Sequence, residues 1–261
     1  MAASLLPAEH APDVAALDAL AGGTPLLALD ALVAGYGRMQ ILHGVSLRVA
    51  AGQSLCLIGP NGAGKSTVLH SIYGFTRIES GRVTVGGADV TRLSPNEKLA
   101  RARIAYILQD NSVFPDMTVE ENLWLGGFLL KSPREAHAAA ERVLAKYDRL
   151  ARRRRQRAGV LSGGERRLLE ISRALIMDPQ VLLVDEPSIG LEPRYIDQVF
   201  EILRDLQQRE GKTIVMVEQN ARKGLQFADV GYVLVAGRVA RAAPGRELLE
   251  DPEVGRLFLG G

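Results

Sequence analysis

Three short stretches carry residue types that could do chemistry together. Gly59, Pro60, Asn61, Gly62, Ala63, Gly64, Lys65, Ser66 and Thr67 fit the pattern G-x-x-x-x-G-K-[ST], extended by a threonine. Its glycines let the backbone wrap a chain of phosphates with no Cβ in the way. The N–H groups then point inward as a nest, and the start of a helix adds positive potential. In such a loop Lys65 reaches the β- and γ-phosphates and Ser66 offers its hydroxyl to Mg²⁺, with Thr67 at the α-phosphate. Further on, Val181-Leu182-Leu183-Val184 is an apolar run that stops at Asp185-Glu186. Asp185 can hold Mg²⁺ through water, and Glu186 can orient and polarise an attacking water. Two structurally idle acids are the alternative, which the glycine loop upstream argues against. The third stretch is Leu161-Ser162-Gly163-Gly164-Glu165. Ser162 and Glu165 have capping-box spacing before a helix over 166–177. Gly163 and Gly164 leave N–H groups bare at its positive end, which makes a second anion site distinct from the first. Standing alone the stretch could be only a well-capped helix.

Two further polar positions have open readings. Gln109 ends an apolar run over 104–108, at the carboxyl end of a strand where open α/β sheets bind ligands. It could meet Mg²⁺ or its water, or simply face solvent. Tyr36 lies between Gly35 and Gly37. It could stack on an adenine face or be an ordinary loop tyrosine.

The elements that must carry these residues alternate between strand and helix. Buried strands are expected at 54–58, 104–108, 181–185, 213–217 and 230–235, separated by helical stretches, which argues for a parallel sheet. Residues 26–50 read as two alternating runs joined by a glycine-rich link, an antiparallel sheet beside the first strand. Ser94-Pro95-Asn96-Glu97 and Thr118-Val119-Glu120-Glu121 each open a capped helix. A helix over 122–130 and an amphipathic one over 133–150 predict a helical subdomain at about 110–178. Phe114, Met117 and Trp124 could line an apolar groove for a partner helix or form that subdomain's own core. The basic run over 152–157 could bind nucleic acid or anionic lipid; without interleaved aromatics, a solvated linker is the expectation. Residues 1–24, rich in alanine with Pro7 and Pro12, read as a poorly ordered extension with a short helix near 14–20.

Bulk properties agree. The chain has 261 residues, 47% hydrophobic and 24% charged, with net charge +2, too mild to imply nucleic acid. The single cysteine, Cys56, excludes an internal disulfide and reads as a buried small hydrophobe. No window is apolar enough to span a membrane, and the first residues lack a cationic signal region, so any membrane role is expected to be peripheral.

Together these residues resemble the ATP-binding subunit of an ABC transporter, over about residues 26–260. The resemblance implies an α/β fold: a P-loop NTPase (RecA-like) core with an antiparallel β subdomain and an α-helical subdomain, in an ATP-binding domain over 25–261. It implies ATP and Mg²⁺ as ligands, Gln109 as the Q-loop, 161–165 as the signature and Tyr36 as the adenine-stacking aromatic. The finer resemblance is to the second of two ATPase subunits in branched-chain amino-acid importers. It rests on 114–123, on Pro187-Ser188-Ile189-Gly190-Leu191, on Val217-Glu218-Gln219-Asn220-Ala221 and on Leu259-Gly260. Urea and short-chain amide importers use similar ATPases. The implied partners are a second ATPase subunit, as a heterodimer or in isolation a homodimer, two transmembrane permease subunits and, indirectly, a periplasmic or extracellular solute-binding protein. Nucleic acid is not among them, and the implied place is the cytoplasmic face of the inner membrane. A soluble ABC ATPase of translation or DNA repair is the rival class. Translation factors usually carry two cassettes in one chain, and this chain has one. Leu161 lies only 52 positions after Gln109, too few for the long coiled coils of the repair proteins. Two positions depart from the general pattern. Gln219 stands where the family usually has histidine, and Glu192 where the D-loop usually has aspartate. Glutamine can donate to the γ-phosphate but cannot carry a proton charge, so slower hydrolysis than at a histidine-bearing site is expected.

Overall fold

The computed structural model describes residues 12–109 and 112–258. Residues 1–11 and the Leu259-Gly260 pair lie outside the described residues. In order, the elements are α1 (Val14–Ala21), β1 (Leu27–Tyr36), β2 (Met39–Val49), β3 (Ser54–Ile58), α2 (Lys65–Tyr73), β4 (Arg77–Val85) and β5 (Ala88–Asp89). Then come α3 (Pro95–Ala100), β6 (Ile104–Ile107), α4 (Val119–Gly126), α5 (Pro133–Lys146), α6 (Asp148–Ala151), α7 (Gly163–Leu175) and β7 (Val181–Asp185). The last are α8 (Pro193–Gln208), β8 (Thr213–Val217), α9 (Ala221–Phe227), β9 (Val230–Val235), β10 (Arg238–Pro244), α10 (Gly245–Glu250) and α11 (Pro252–Phe258).

Every residue of β3, β7 and β8 is buried, as expected for strands covered on both faces. They form the centre of a six-stranded sheet with order β10-β9-β3-β8-β7-β6. All neighbours are parallel except β10, which pairs antiparallel with β9. Side chains alternate between the faces. Val181, Leu183, Val215 and Val217 join one core layer, while Leu182, Val184, Ile214 and Met216 join another. The first layer is completed by the antiparallel sheet β2-β1-β4-β5 and by α2. The second is completed by Leu123 of α4, Val143 of α5, Leu168 of α7 and Leu203 of α8. The helical stretch between β6 and β7 therefore shares its core with the sheet. The consequence for function lies at the sheet's edge: the carboxyl ends of β3, β8, β7 and β6 come side by side.

Residues 12–24 differ from the poorly ordered extension expected of them. Asp13 caps α1 by accepting from the Ala16 N–H at 2.8 Å, and Gly22 closes it in the left-handed conformation. Leu17 is 1% exposed and belongs to the core, and Asp18 pairs with Arg48 of β2 at 2.9 Å. The alanine-rich composition hid one well-placed leucine that makes this segment part of the domain. The basic run also differs from a solvated linker. Its backbone carbonyls at Arg154 and Gln156 accept from Glu120 and Val119, and Arg154 bridges Glu120 and Glu141. Arg153 pairs with Glu165 at 2.8 Å. These arginines fasten α4 and α5 to the turn before α7. The long helix expected over 133–150 breaks at Tyr147 into α5 and α6.

Candidate active site

The site begins where β3 runs out. Gly59 has φ 145°, and a Cβ there would stand 2.1 Å from the Leu234 carbonyl oxygen of neighbouring β9. Only glycine lets the chain leave the sheet so close to its neighbour. Gly64 caps α2 at φ 96°, with Leu42 and Ile41 of β2 at 3.0 and 3.2 Å from a built Cβ. Between them the loop 59–64 curls over the start of α2. The Lys65 ammonium lies inside the curl and donates to the carbonyls of Gly59 and Pro60 at 2.9 and 3.1 Å. Burial lowers its pKa from the ordinary lysine value, and the carboxylates of Glu186 and Asp185 oppose that shift. The acids it faces offset part of that shift, whose net direction is downward.

Ser66 Oγ donates to Asp185 Oδ1 at 3.0 Å, which joins the loop to the end of β7. The other oxygen, Oδ2, accepts from the Tyr106 hydroxyl of β6 at 2.8 Å. Burial, reinforced by Asp185, drives the Tyr106 pKa far above the ordinary phenol value, so this hydroxyl stays a donor. Both oxygens of a carboxylate that is 4% exposed are therefore oriented. Glu186 follows at φ 43°, a left-handed conformation that costs a non-glycine residue roughly 1–3 kcal/mol. Its N–H continues the ladder to the Val217 carbonyl at 2.9 Å, and its Oε2 accepts from Gln109 Nε2 at 3.1 Å. The structure thus brings Lys65, Ser66, Asp185, Glu186 and Gln109 to one place. Among the described residues no group of three or more His, Cys, Asp or Glu is arranged to hold a metal. The Ser66 hydroxyl and Asp185 carboxylate fit instead a hard ion that takes its other ligands from phosphate and water.

Tyr36 closes β1 at the turn into β2, 43% exposed, with its hydroxyl hydrogen-bonded to His70 Nδ1 on α2. His70, Tyr73, Phe75 and Tyr106 form a cluster of ring contacts between 5.0 and 5.9 Å, so Tyr36 is tied through His70 to the α2 face that also borders Asp185. Gln219 is exposed just past β8, while Glu218 beside it is 1% exposed and accepts from Ser188 Oγ at 2.7 Å. Ser162, Gly163, Gly164 and Glu165 sit elsewhere. Ser162 and Glu165 form the expected capping box at the start of α7. Among the described residues no hydrogen bond or ion pair joins these four to the loop 59–67. The loop 59–64 and the turn at 162–164 belong to different elements, and Gly163 shares a shallow cleft with Gln109, Ile189 and Leu191.

Residues 42–189 match the family described as "ABC transporter". The chain belongs to the ABC transporter family. It is an ATP-binding and ATP-hydrolysing subunit of a transporter. This ABC ATPase is 43% identical to the high-affinity branched-chain amino acid transport ATP-binding protein BraG of Pseudomonas aeruginosa, over 90% of the chain and 100% of BraG. It is 35% identical to the lipopolysaccharide export system ATP-binding protein LptB of Acidithiobacillus ferridurans, over 90% of the chain and 97% of LptB. Among solved structures, the ADP conformation of MJ1267, an ATP-binding cassette of an ABC transporter, superposes with TM-score 0.80 at 30% identity. That match covers 91% of this chain and all of the other.

The face of this ABC ATPase around α4 is open and carries exposed apolar side chains. Val119 and Leu123 fill the core, whereas Phe114, Leu125 and Phe128 are 50%, 40% and 80% exposed. Trp124 stacks on His137 with ring centroids 4.2 Å apart. A cleft beside them is lined by Tyr73, Leu125, Phe128 and Met177 together with Glu170 and Arg173. Of the two readings open for Phe114, Met117 and Trp124, the groove describes Met117 and Trp124, which line an open cleft with Leu125, Phe128 and Leu130, although Trp124 also packs on the core. Phe114 is half exposed with the Arg173 guanidinium over its ring. Sequence reasoning missed His70, Tyr106, Arg167 and Glu170, which sit inside helices or strands with no pattern of their own.

Proposed function

We propose that this ABC ATPase powers import of branched-chain or other hydrophobic amino acids through a membrane permease. The observation that carries the reading is the 43% identity to BraG along the whole of that protein. The LptB relative, named for export, supports the opposite direction at lower identity, and urea or short-chain amide uptake is the nearest importer alternative. Two permease subunits, a second ATPase subunit and, indirectly, a solute-binding protein complete the assembly. No helix among the described residues is long and apolar enough to cross a membrane, so attachment at the cytoplasmic face goes through the permease. The groove at 113–130 and the Gln109 loop serve as the contact.

Within the nucleotide site the residues divide the work. Loop 59–64 and Lys65 hold the β- and γ-phosphates, Thr67 the α-phosphate, and Tyr36 stacks on the adenine. Ser66, Asp185 and Gln109 would hold Mg²⁺, which would supply charge neutralisation at the phosphates. Glu186 accepts a hydrogen bond from the attacking water and aims it, in a direction fixed by its backbone and by Gln109. Gln219 donates to the γ-phosphate. Ser162, Gly163 and Gly164 cap the nucleotide of a facing subunit, as the resemblance to the family implies, and no hydrogen bond or ion pair among the described residues joins them to their own phosphate loop. Two nucleotides then lie between two subunits, and their hydrolysis separates the pair.

Two measurements test this. Co-expressed with its permease and partner ATPase subunits in proteoliposomes, the chain should drive ATP-dependent accumulation of leucine. Uptake of urea alone, or efflux only, would overturn the substrate reading. Gln219→His should raise ATP turnover of that assembly by about three- to tenfold, at most about 1.4 kcal/mol off the barrier. An unchanged or lower rate counts against the role given to Gln219.

A further inference from the structure

Two charged residues within α7 are buried beside the site. Arg167 is 4% exposed and Glu170 is 6% exposed, one helical turn apart on the same face. Arg167 Nη1 donates to Glu170 Oε2 at 2.8 Å. The same nitrogen donates to the Leu108 carbonyl at 2.7 Å, and Nη2 donates to the Asp185 carbonyl at 3.3 Å. Glu170 Oε1 accepts from the Ser112 N–H at 3.2 Å. These contacts fall at particular places in the sheet. The last register pair between β6 and β7 is Ile107 with Val184. Leu108 and Asp185 are the next residues on the two strands, so the guanidinium takes over where the ladder ends. The residues after those are Gln109 and Glu186, whose side chains hydrogen-bond each other at 3.1 Å.

A buried ion pair is poor evidence of a stabilising purpose, since apolar replacements of equal size are often no worse. What a guanidinium adds is a rigid fork of donors that can hold two acceptors at a fixed separation. We infer that the Arg167–Glu170 pair is a positioning device for hydrolysis. It clamps the ends of β6 and β7 from α7 and thereby fixes how Gln109 and Glu186 face the γ-phosphate. The same helix begins with Ser162, Gly163 and Gly164. The part of the chain that caps a partner's nucleotide is thus tied to the hydrolytic groups of its own site by one side chain. This rests on the roles proposed above for Gln109 and Glu186.

The test uses the full chain, at a concentration where turnover per subunit no longer rises. Arg167→Lys keeps the charge and the pairing with Glu170 but lacks the fork. It should lower kcat about tenfold while KM for ATP stays within about twofold, because the phosphate loop is untouched. In a Gln109→Ala background the same change should cost less than about a further twofold, since both act on one arrangement. Glu170→Gln leaves every guanidinium donor in place. It should show a smaller loss with the same dependence on Gln109, and it serves if the lysine variant does not fold. A lowered thermal midpoint with unchanged kcat, or equal factors in the two backgrounds, would overturn the inference. Glu186→Gln is run alongside: if that variant hydrolyses at the parent rate, the site assignment itself has failed, whatever Arg167 does.

Discussion

Glu186→Gln is expected to lower ATP turnover at least about a hundredfold while leaving nucleotide affinity unchanged. The substitution keeps the side-chain length and an oxygen that can accept from Gln109, whose amide is 3.1 Å from Oε2. It removes the negative charge that polarises water. The backbone is not asked to change: glutamine meets the same penalty at φ 43° that glutamate does, and its N–H keeps the bond to Val217. Lys65 and the loop 59–64 lie on a different strand end, and Lys65 keeps its bonds to the Gly59 and Pro60 carbonyls and still faces the Asp185 carboxylate. ATP that binds but is not cleaved should hold two subunits together. Added ATP with Mg²⁺ should therefore convert the variant from monomer to dimer in light scattering, while the parent chain dimerises only briefly. Phosphate release at the parent rate would remove Glu186 from the mechanism. Loss of release without ATP-driven dimers would remove the dimer.

The sequence made the phosphate loop, the signature turn and the two strand-end acids legible because each is local. A glycine at a fixed offset from a lysine, or an apolar run that stops at two carboxylates, can be read without knowing what lies opposite. The parallel sheet was legible for the same reason, since strands buried on both faces read as continuous apolar runs. What could not be read was whatever depends on neighbours across the sheet. Tyr106 looks like one more apolar residue of β6 until β7 is set beside it, and only then does its hydroxyl meet Asp185. Arg167 and Glu170 sit in a helix with many charges, and nothing in their spacing distinguishes a buried pair from a solvated one. Leu17 was hidden by alanine-rich surroundings, and the arginines at 152–154 by their own repetition. In both places burial or pairing is decided by distant partners, Arg48 and β2 for α1, Glu120, Glu141 and Glu165 for the arginines.

Gly163→Asp should abolish most turnover, about a hundredfold or more, without harming the fold or the binding of ATP to a single chain. Gly163 opens α7, and a Cβ built there has only Leu191 Cδ2 near it, at 3.4 Å. Its neighbour would be a poor probe, since a Cβ on Gly164 would come within 2.4 Å of the Tyr195 ring. A carboxylate in the first turn of a helix is favoured by the exposed N–H groups there. The thermal midpoint should then stay level or rise. The same carboxylate faces the γ-phosphate that a partner subunit would present, and like charges at that contact oppose closure. Mixing supplies the sharper measurement. Lys65→Ala and Gly163→Asp chains should each be inactive, yet together they can form a dimer in which one nucleotide has an intact loop from one chain and an intact turn from the other. Turnover that returns on mixing places the signature in trans. If the Gly163→Asp chain alone hydrolyses ATP at the parent rate, the turn at 162–164 is an ordinary helix cap and the two-subunit site is wrong.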